Sequence, residues 1–220
     1  MKSSHLLALF ALTLFAVNLA IFGKSLQFDF VPYDDPAYVT DNGYVNQGIT
    51  PGGLRWALWY RDGGQAVSHE GVGNLWHPLT WLSHMLDVSL FGTEDASGHH
   101  LSNLLLHGVA AILLMLVAYF LVGSAPAAFL LALLWMIHPL KVESVAWVSE
   151  RKDVLSGVFA WAALACALFA NLKNRKIWRI AALVLFVFAL LSKPSVVILP
   201  LLLILAEGFL QKERAWGLGF

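Results

Sequence analysis

Charge and cysteine are both scarce in this sequence of 220 residues. Only 13% of its residues are charged, against about a quarter in soluble domains. With 59% hydrophobic residues and a mean hydropathy of +0.70, this excludes an ordinary soluble domain. The single cysteine, Cys166, lies inside an apolar run. It excludes an intrachain disulfide and a cysteine-built zinc site, and it reads as a small buried apolar residue. Neither sign of charge is in excess: fourteen Lys and Arg balance fourteen Asp and Glu. No basic field is therefore available to attract nucleic acid. Tandem repeats, low-complexity tracts, a nucleotide-binding glycine fingerprint and a His-Glu-x-x-His helix are all missing, and Gly63-Gly64 and Gly71-Val72-Gly73 read as loop punctuation.

What the chain does contain is apolar runs long enough to be weighed against a bilayer, which takes roughly 20 residues to cross. Six are present, at 6–22, 101–122, 125–140, 154–170, 177–191 and 195–210. They predict an all-α polytopic membrane bundle of about six transmembrane helices, forming one module over 1–220. The first run resembles a signal peptide, with Lys2 before it and Asn18-Leu19-Ala20 near its end, but its length favours an uncleaved span. Near short loops, Lys2, Lys173, Arg175, Lys176, Arg179, Lys212 and Arg214 fall on one side, and Lys141, Arg151, Lys152 and Lys193 on the other. The positive-inside rule then puts the N-terminus inside and residues 24–100 outside as a first extracytoplasmic loop; Lys24, Arg55 and Arg61 are discounted because long loops cross regardless of charge.

That loop is acidic, with nine carboxylates against three cations, and too long to be structureless. Thr50 and Pro51 open one predicted helix; Asn74 and Pro78 open a second. In the second, Leu75, Leu79, Leu82, Leu86 and Leu90 form an apolar stripe, and His77, Thr80, His84 and Asp87 form the opposite one. The pattern predicts an amphipathic helix on the membrane surface, with Trp76 and Trp81 at interfacial depth.

The unusual polar residues converge on the outer face: Asp34-Asp35, His77-Pro78, His99-His100, His138-Pro139, Glu150-Arg151-Lys152-Asp153 and Lys193-Pro194. His100, Asn103 and His107 share one face of a span; they line a cavity or make interhelical hydrogen bonds. Asp34-Asp35 precedes Pro36 and is either a turn signal or a carboxylate pair able to deprotonate a hydroxyl or hold a divalent cation. Arg151 and Lys152, with Lys141 and Lys193 at the same depth, suit a phosphate clamp, because a departing phosphate needs fixed cations. Their bland reading is pairing of Lys141 and Arg151 with Glu143, Glu150 or Asp153. His77 with His84, and His100 with His107, are each seven residues apart, but no three-ligand zinc set is evident. Pro78, Pro139 and Pro194 read as helix boundaries.

These stretches resemble GT-C type polytopic glycosyltransferases, in particular the amino-terminal part of bacterial relatives of the transmembrane and tetratricopeptide-repeat-containing O-mannosyltransferases. The resemblance runs from Tyr33-Asp34-Asp35-Pro36 through Trp76-His77-Pro78-Leu79-Thr80-Trp81, His99-His100-Leu101-Ser102-Asn103 and His138-Pro139-Leu140-Lys141 to Trp147-Val148-Ser149-Glu150-Arg151-Lys152-Asp153 and Ser192-Lys193-Pro194. It implies an outer loop with helices along the membrane, an acidic motif at its start, and a polyprenyl- or dolichyl-phosphate sugar donor. By position it makes Asp34 the acceptor-activating carboxylate beside Asp35, with their order of importance open. Glu143, Glu150 and Asp153 match acidic positions of the second outer loop, and Arg151, Lys152 and Lys193 the donor-phosphate contacts. Such enzymes generally have more spans and a repeat array, which the 220 residues do not contain.

Residues and resemblance together lead to an expected activity: transfer of a sugar, with mannose the first candidate, from a lipid-phosphate carrier to a hydroxyl of a protein or glycan acceptor. The reaction is expected at the outer face of a bacterial inner membrane, or at the lumenal face in a eukaryote. His77, His84, His100, Asn103, His107 and His138 are its expected polar support. No cofactor is required by the sequence beyond a divalent metal at Asp34-Asp35 as an option. The rival readings are a transporter or channel subunit using Asn103, His107 and Lys193 as a polar path, and a non-catalytic scaffold.

Overall fold

A computed structural model describes residues 3–59, 76–173 and 175–215. Nine α-helices are present among them, with no strand. They are α1 (Ser3–Phe22), α2 (Pro51–Trp59), α3 (Pro78–Phe91), α4 (Ala96–Val122), α5 (Ala125–Met136), α6 (Lys141–Ala146), α7 (Arg151–Lys173), α8 (Lys176–Ser192) and α9 (Leu199–Ala215). Among the described residues three helical stretches are long and apolar enough to cross a membrane: Ser4–Gln27, Ala96–Val122 and Val148–Asn171. The chain is an all-α, membrane-type bundle.

The central element is α4. Asp95 caps its first turn by accepting from the Gly98 N–H at 3.4 Å, and Gly123 ends it with φ of 70°, a left-handed conformation that glycine adopts without steric cost. One side of α4 packs on α1 and α5 around Leu14, Ala111, Met115, Ala128, Ala132 and Met136. Its other side packs chiefly on α7, and α8, packed on α7, and α9 complete a core around Val117, Ala160, Leu164, Leu168 and Ala189. Small residues permit close approach: a Cβ on Gly108 would lie 3.0 Å from Phe15 and 3.1 Å from Asn18 of α1. Asn18 is fully buried, and its Nδ2 donates to the Leu104 carbonyl at 2.9 Å. The first apolar run is therefore built into the bundle.

Several predicted boundaries move. The third run stops at Met136 rather than 140. Pro139 disfavours helix at His138, and twelve residues rise about 18 Å, short of a hydrocarbon core of about 30 Å. The last run starts with the 3-10 turn Pro194–Ile198 before α9 begins. Helix α4 begins at Ala96, so His99 and His100 sit inside it rather than at its mouth.

Residues 23–50 and α2 and α3 form a cap over one end of the bundle, with a core of Tyr38, Val39, Val45, Trp56, Trp81, Met85 and Val88, into which Val148 inserts. Thr50 opens α2, its Oγ1 accepting from the Gly53 N–H at 3.0 Å; α3 opens at Pro78 with His77 at its N-cap, later than the start predicted at Asn74. The predicted Asn74 cap and Leu75, with Arg61, Asp62 and Glu70, lie outside the described residues. The predicted polar stripe faces the protein: Thr80, His84 and Asp87 of α3, with His77 at its N-cap, are buried, whereas of the apolar stripe Leu79 and Leu82 are half-buried and Leu86 and Leu90 exposed. Trp81, expected at an interface, is 4% exposed and stacks on Tyr38 at 4.7 Å.

Candidate functional site

Helix direction brings the connections that carry the unusual polar residues to one end of the bundle. Side-chain bonds fasten them to one another there. The Thr80 hydroxyl of α3 donates to the Ser192 carbonyl at 2.9 Å, and Asn103 Nδ2 of α4 to the Trp147 carbonyl at 2.9 Å.

The two adjacent aspartates have opposite environments. Asp35 is fully buried; its Oδ2 accepts from the Val31 N–H and its Oδ1 from the Ser149 N–H, both at 2.8 Å. One carboxylate thus closes its own turn and clips the cap to the segment entering α7. Burial pushes the Asp35 carboxyl above its ordinary range, and the two N–H bonds oppose that rise. Asp34 is half-buried, and its side chain makes no hydrogen bond among the described residues.

Tyr38, which no sequence pattern singled out, is the hub. Its ring is 1% exposed and stacks on His77 at 5.5 Å and 11°, and the Lys152 ammonium lies 4.9 Å over it. Lys152 Nζ also pairs with Glu150 Oε1 at 2.7 Å and donates to the Ser149 carbonyl at 3.2 Å. Burial, then the Asp34 and Glu150 carboxylates, push the Tyr38 phenol upward. Burial, then Lys152 and Lys193, push His77 down to about 3, so its imidazole is neutral at pH 7. The charges of Asp34 and Glu150 thus act on Tyr38 and those of Lys152 and Lys193 on its stacking partner His77, with Lys152 in direct contact with the Tyr38 ring. Lys193 is tied to Asp153, whose Oδ2 accepts from the Ser144 hydroxyl at 3.1 Å.

Arg151 occupies a different place from its neighbours. It is 1% exposed: its Nε donates to Asn103 Oδ1, and one terminal nitrogen reaches the His99 carbonyl at 2.8 Å and Asp87 Oδ2 at 2.6 Å. Asp87 Oδ1 also accepts from Ser102 at 2.8 Å. Arg151, expected in a phosphate clamp and otherwise as a partner of Glu143, Glu150 or Asp153, instead makes this buried link between α3, α4 and α7. His84 is fully buried beside Tyr38 and His99, and burial followed by the Arg151 charge pushes it well down. His100 is buried against Phe28.

Farther down the bundle, His107 approaches the Met136 carbonyl at 3.1 Å and stacks on Trp135 at 5.3 Å. Asn103 and His107 thus bond to neighbouring segments of the bundle, and His107 also lines a cavity. The Lys141 ammonium sits 4.7 Å over the Trp135 ring instead of pairing with a carboxylate. His107, Lys141, Ser144 and Asp153 lead into a groove of about 250 Å³ that continues between apolar residues such as Trp161, Val196, Leu199 and Leu202. Glu143 and His138 are exposed; His138 Nδ1 accepts from the Leu140 N–H at 3.3 Å, a turn contact away from the Tyr38 cluster. Among the described residues no three His, Cys, Asp or Glu side chains are grouped to hold a metal.

No family model matches the chain, and no solved structure matches it. Curated proteins do. The chain is 35% identical over 157 residues to protein O-mannosyl-transferase TMTC4 of Mus musculus, a match covering 65% of this chain and 20% of that protein. It is 30% identical over 152 residues to TMTC2 of Homo sapiens, covering 69% and 18%, and 33% identical over 163 residues to Tmtc1 of Drosophila melanogaster, covering 73% and 17%. The chain spans about a fifth of the length of these relatives. Over that fifth, it is a sequence relative of proteins named protein O-mannosyl-transferases.

Proposed function

We propose that this chain carries the reactive end of a membrane glycosyltransferase that moves a sugar, mannose by similarity, from a polyprenyl- or dolichyl-phosphate carrier to a hydroxyl of a protein or glycan acceptor. In this reading the acceptor oxygen attacks the anomeric carbon as the bond from that carbon to the phosphate oxygen breaks, inverting the centre. Asp34, the open member of the pair, takes the hydroxyl proton. Lys152 and Lys193 meet the charge left on the departing polyprenyl phosphate. Asp35 holds the Asp34 turn against the start of α7, and Arg151 acts from inside by holding α7 against α3 and α4, a positioning role in place of direct phosphate contact.

The groove below Asp153 suits the carrier: charged and hydroxyl groups (Lys141, Ser144, Asp153) at one end, apolar side chains along the rest. The reading extends to a multi-pass protein with this end on the extracytoplasmic side of a bacterial inner membrane, or the lumenal side of the endoplasmic reticulum in a eukaryote. Asp34 with Asp35 is where a divalent ion would be sought, with Asp35 already committed to two backbone N–H groups.

The observation that carries the reading is the meeting at the buried Tyr38–His77 stack of three pieces of chain: the turn of the open carboxylate Asp34, whose carbonyl accepts from the Tyr38 N–H at 2.9 Å, Lys152, which lies over the Tyr38 ring, and the Ser192–Lys193 segment, fastened to α3 through Thr80. The test is release of polyprenyl phosphate from a polyprenyl-phosphate sugar by the protein in membranes. Asp34→Asn is expected to lower turnover by 10²-fold or more, the usual worth of a general base. Full turnover in Asp34→Asn defeats the assignment, and no turnover by the unsubstituted protein favours a scaffold.

A further inference from the structure

The bundle end away from Asp34 carries a second cleft, unconnected with the reaction above. It has a volume of about 370 Å³ and lies between α7, α8 and α9, with Ala163, Ala167, Ala182 and Phe186 along it and Asn171 and Arg179 at its polar end. The volume is within the range of ordinary ligand sites, about 300–1,000 Å³. Neighbouring side chains on α8 are apolar and exposed, among them Ile180, Leu183, Val184 and Val187. Such a face has hydrocarbon as its natural solvent.

Charge identifies the headgroup. The stretch joining α7 to α8 contains Lys173, Arg175, Lys176 and Arg179, and the sequence has no Asp or Glu between Asp153 and Glu207. Arg175, Lys176 and Arg179 are exposed. Beside them Trp178 is 37% exposed and packs edge-on against Phe169 at 5.0 Å, an arrangement that suits headgroup depth, where tryptophan is enriched. A cationic collar above an apolar cleft in a lipid-facing wall complements an anionic amphiphile.

We propose that this cleft is a binding site for an anionic glycerophospholipid, with its phosphate at Arg179 and the adjoining Arg175–Lys176 collar and one acyl chain along the Ala163–Ala167–Ala182 wall. Arg179 serves because a planar guanidinium carries five N–H donors and can hold a phosphate beside another partner. The cleft shares Leu199 with the proposed carrier groove, but its polar end, Asn171 and Arg179, differs from the groove's Lys141, Ser144 and Asp153, so a lipid phosphate here acts on the stability of the bundle, not on the reacting atoms.

The test uses the chain purified in a neutral detergent, with unfolding followed by tryptophan fluorescence. Dioleoyl phosphatidylglycerol is expected to raise the melting temperature saturably, and dioleoyl phosphatidylcholine to leave it unchanged. Arg179→Gln should weaken the phosphatidylglycerol effect about tenfold, the worth of one charge-assisted hydrogen bond. Ala182→Phe, which fills the cleft, should abolish it. Equal stabilisation by phosphatidylcholine, or a phosphatidylglycerol shift that survives both substitutions, overturns the proposal. If a variant fails to fold, native mass spectrometry of the unsubstituted chain decides. One retained phosphatidylglycerol supports the site. No retained lipid, or displacement of phosphatidylglycerol by undecaprenyl phosphate, refutes it, the latter because the cleft would then be a carrier site.

Discussion

Asp34 and Asp35 differ by one position in the chain and by nearly everything else. Asp35 spends both oxygens on backbone N–H groups, one of them 114 residues away, so it can hardly serve as a mobile base. Replacing it by Asn keeps one acceptor and turns an amide N–H toward a backbone N–H, leaving a buried donor unsatisfied at a cost of about 1–3 kcal/mol. Asp35→Asn is therefore expected to lower the midpoint of denaturant unfolding clearly, whereas Asp34→Asn should stay within about 0.5 kcal/mol of the unsubstituted chain. Equal stability losses at the two positions would erase the distinction between a structural clip and an open base. Tyr38 shows the same scale from the other side: a residue of no recognisable motif becomes the platform beneath Lys152 because His77 and Trp81 fix its ring.

Among the elements, α3, α4 and α7 owe their mutual placement to a polar link inside an apolar structure. Asp87 and Arg151 are 4% and 1% exposed, with the Asn103 side chain and the His99 carbonyl completing the guanidinium's partners. Removing one charge strands the other, and Asp87→Leu or Arg151→Met alone is expected to destabilise the fold by about 3–5 kcal/mol. Because a buried pair is often matched by well-packed apolar substitutes, the double variant should be more stable than either single one. Simple additivity of the two losses, measured in a double-mutant cycle by thermal or denaturant unfolding, would show that the two side chains do not act as a pair.

For the molecule as a whole, the histidines packed into the cap make stability depend on pH. His77 is held down at about 3 and His84 well below its ordinary value of 6.5, both first by burial. The unfolded chain therefore binds protons that the folded chain refuses, and stability present above pH 6.5 is lost as pH falls from there toward 3. Each fully linked histidine contributes a slope of up to about 1.4 kcal/mol per pH unit. Asp35, with its raised carboxyl, works in the opposite sense: its burial is most favourable at pH values below its unfolded value of 3.8 and weakens as pH rises through the folded value. Unfolding midpoints of the detergent-solubilised protein should thus fall between pH 6.5 and 4, and His84→Leu should flatten the fall. A pH-independent midpoint over that interval would contradict the burial of neutral imidazoles.

Hydropathy and helix punctuation depend on composition and on neighbours a few residues apart. For that reason the all-α membrane character, the apolar runs, Thr50 as a helix start and the polar stripe of α3 could all be read from the chain alone, whereas α3 starts at Pro78, four residues after the predicted Asn74 cap. So could the gathering of Asp34, His77, Lys152 and Lys193 at one end, because helices that reverse direction at short loops bring alternate connections together. Direction of facing could not. An amphipathic stripe predicts that one side is wet and the other apolar, yet here the polar side of α3 is turned inward by partners on α4 and α7, distant in sequence. The same long-range contacts separated Asp35 from Asp34, drew Arg151 inside and recruited Tyr38. Burial and pairing of polar groups are properties of the packed assembly, set by which distant donors and acceptors meet after the helices dock.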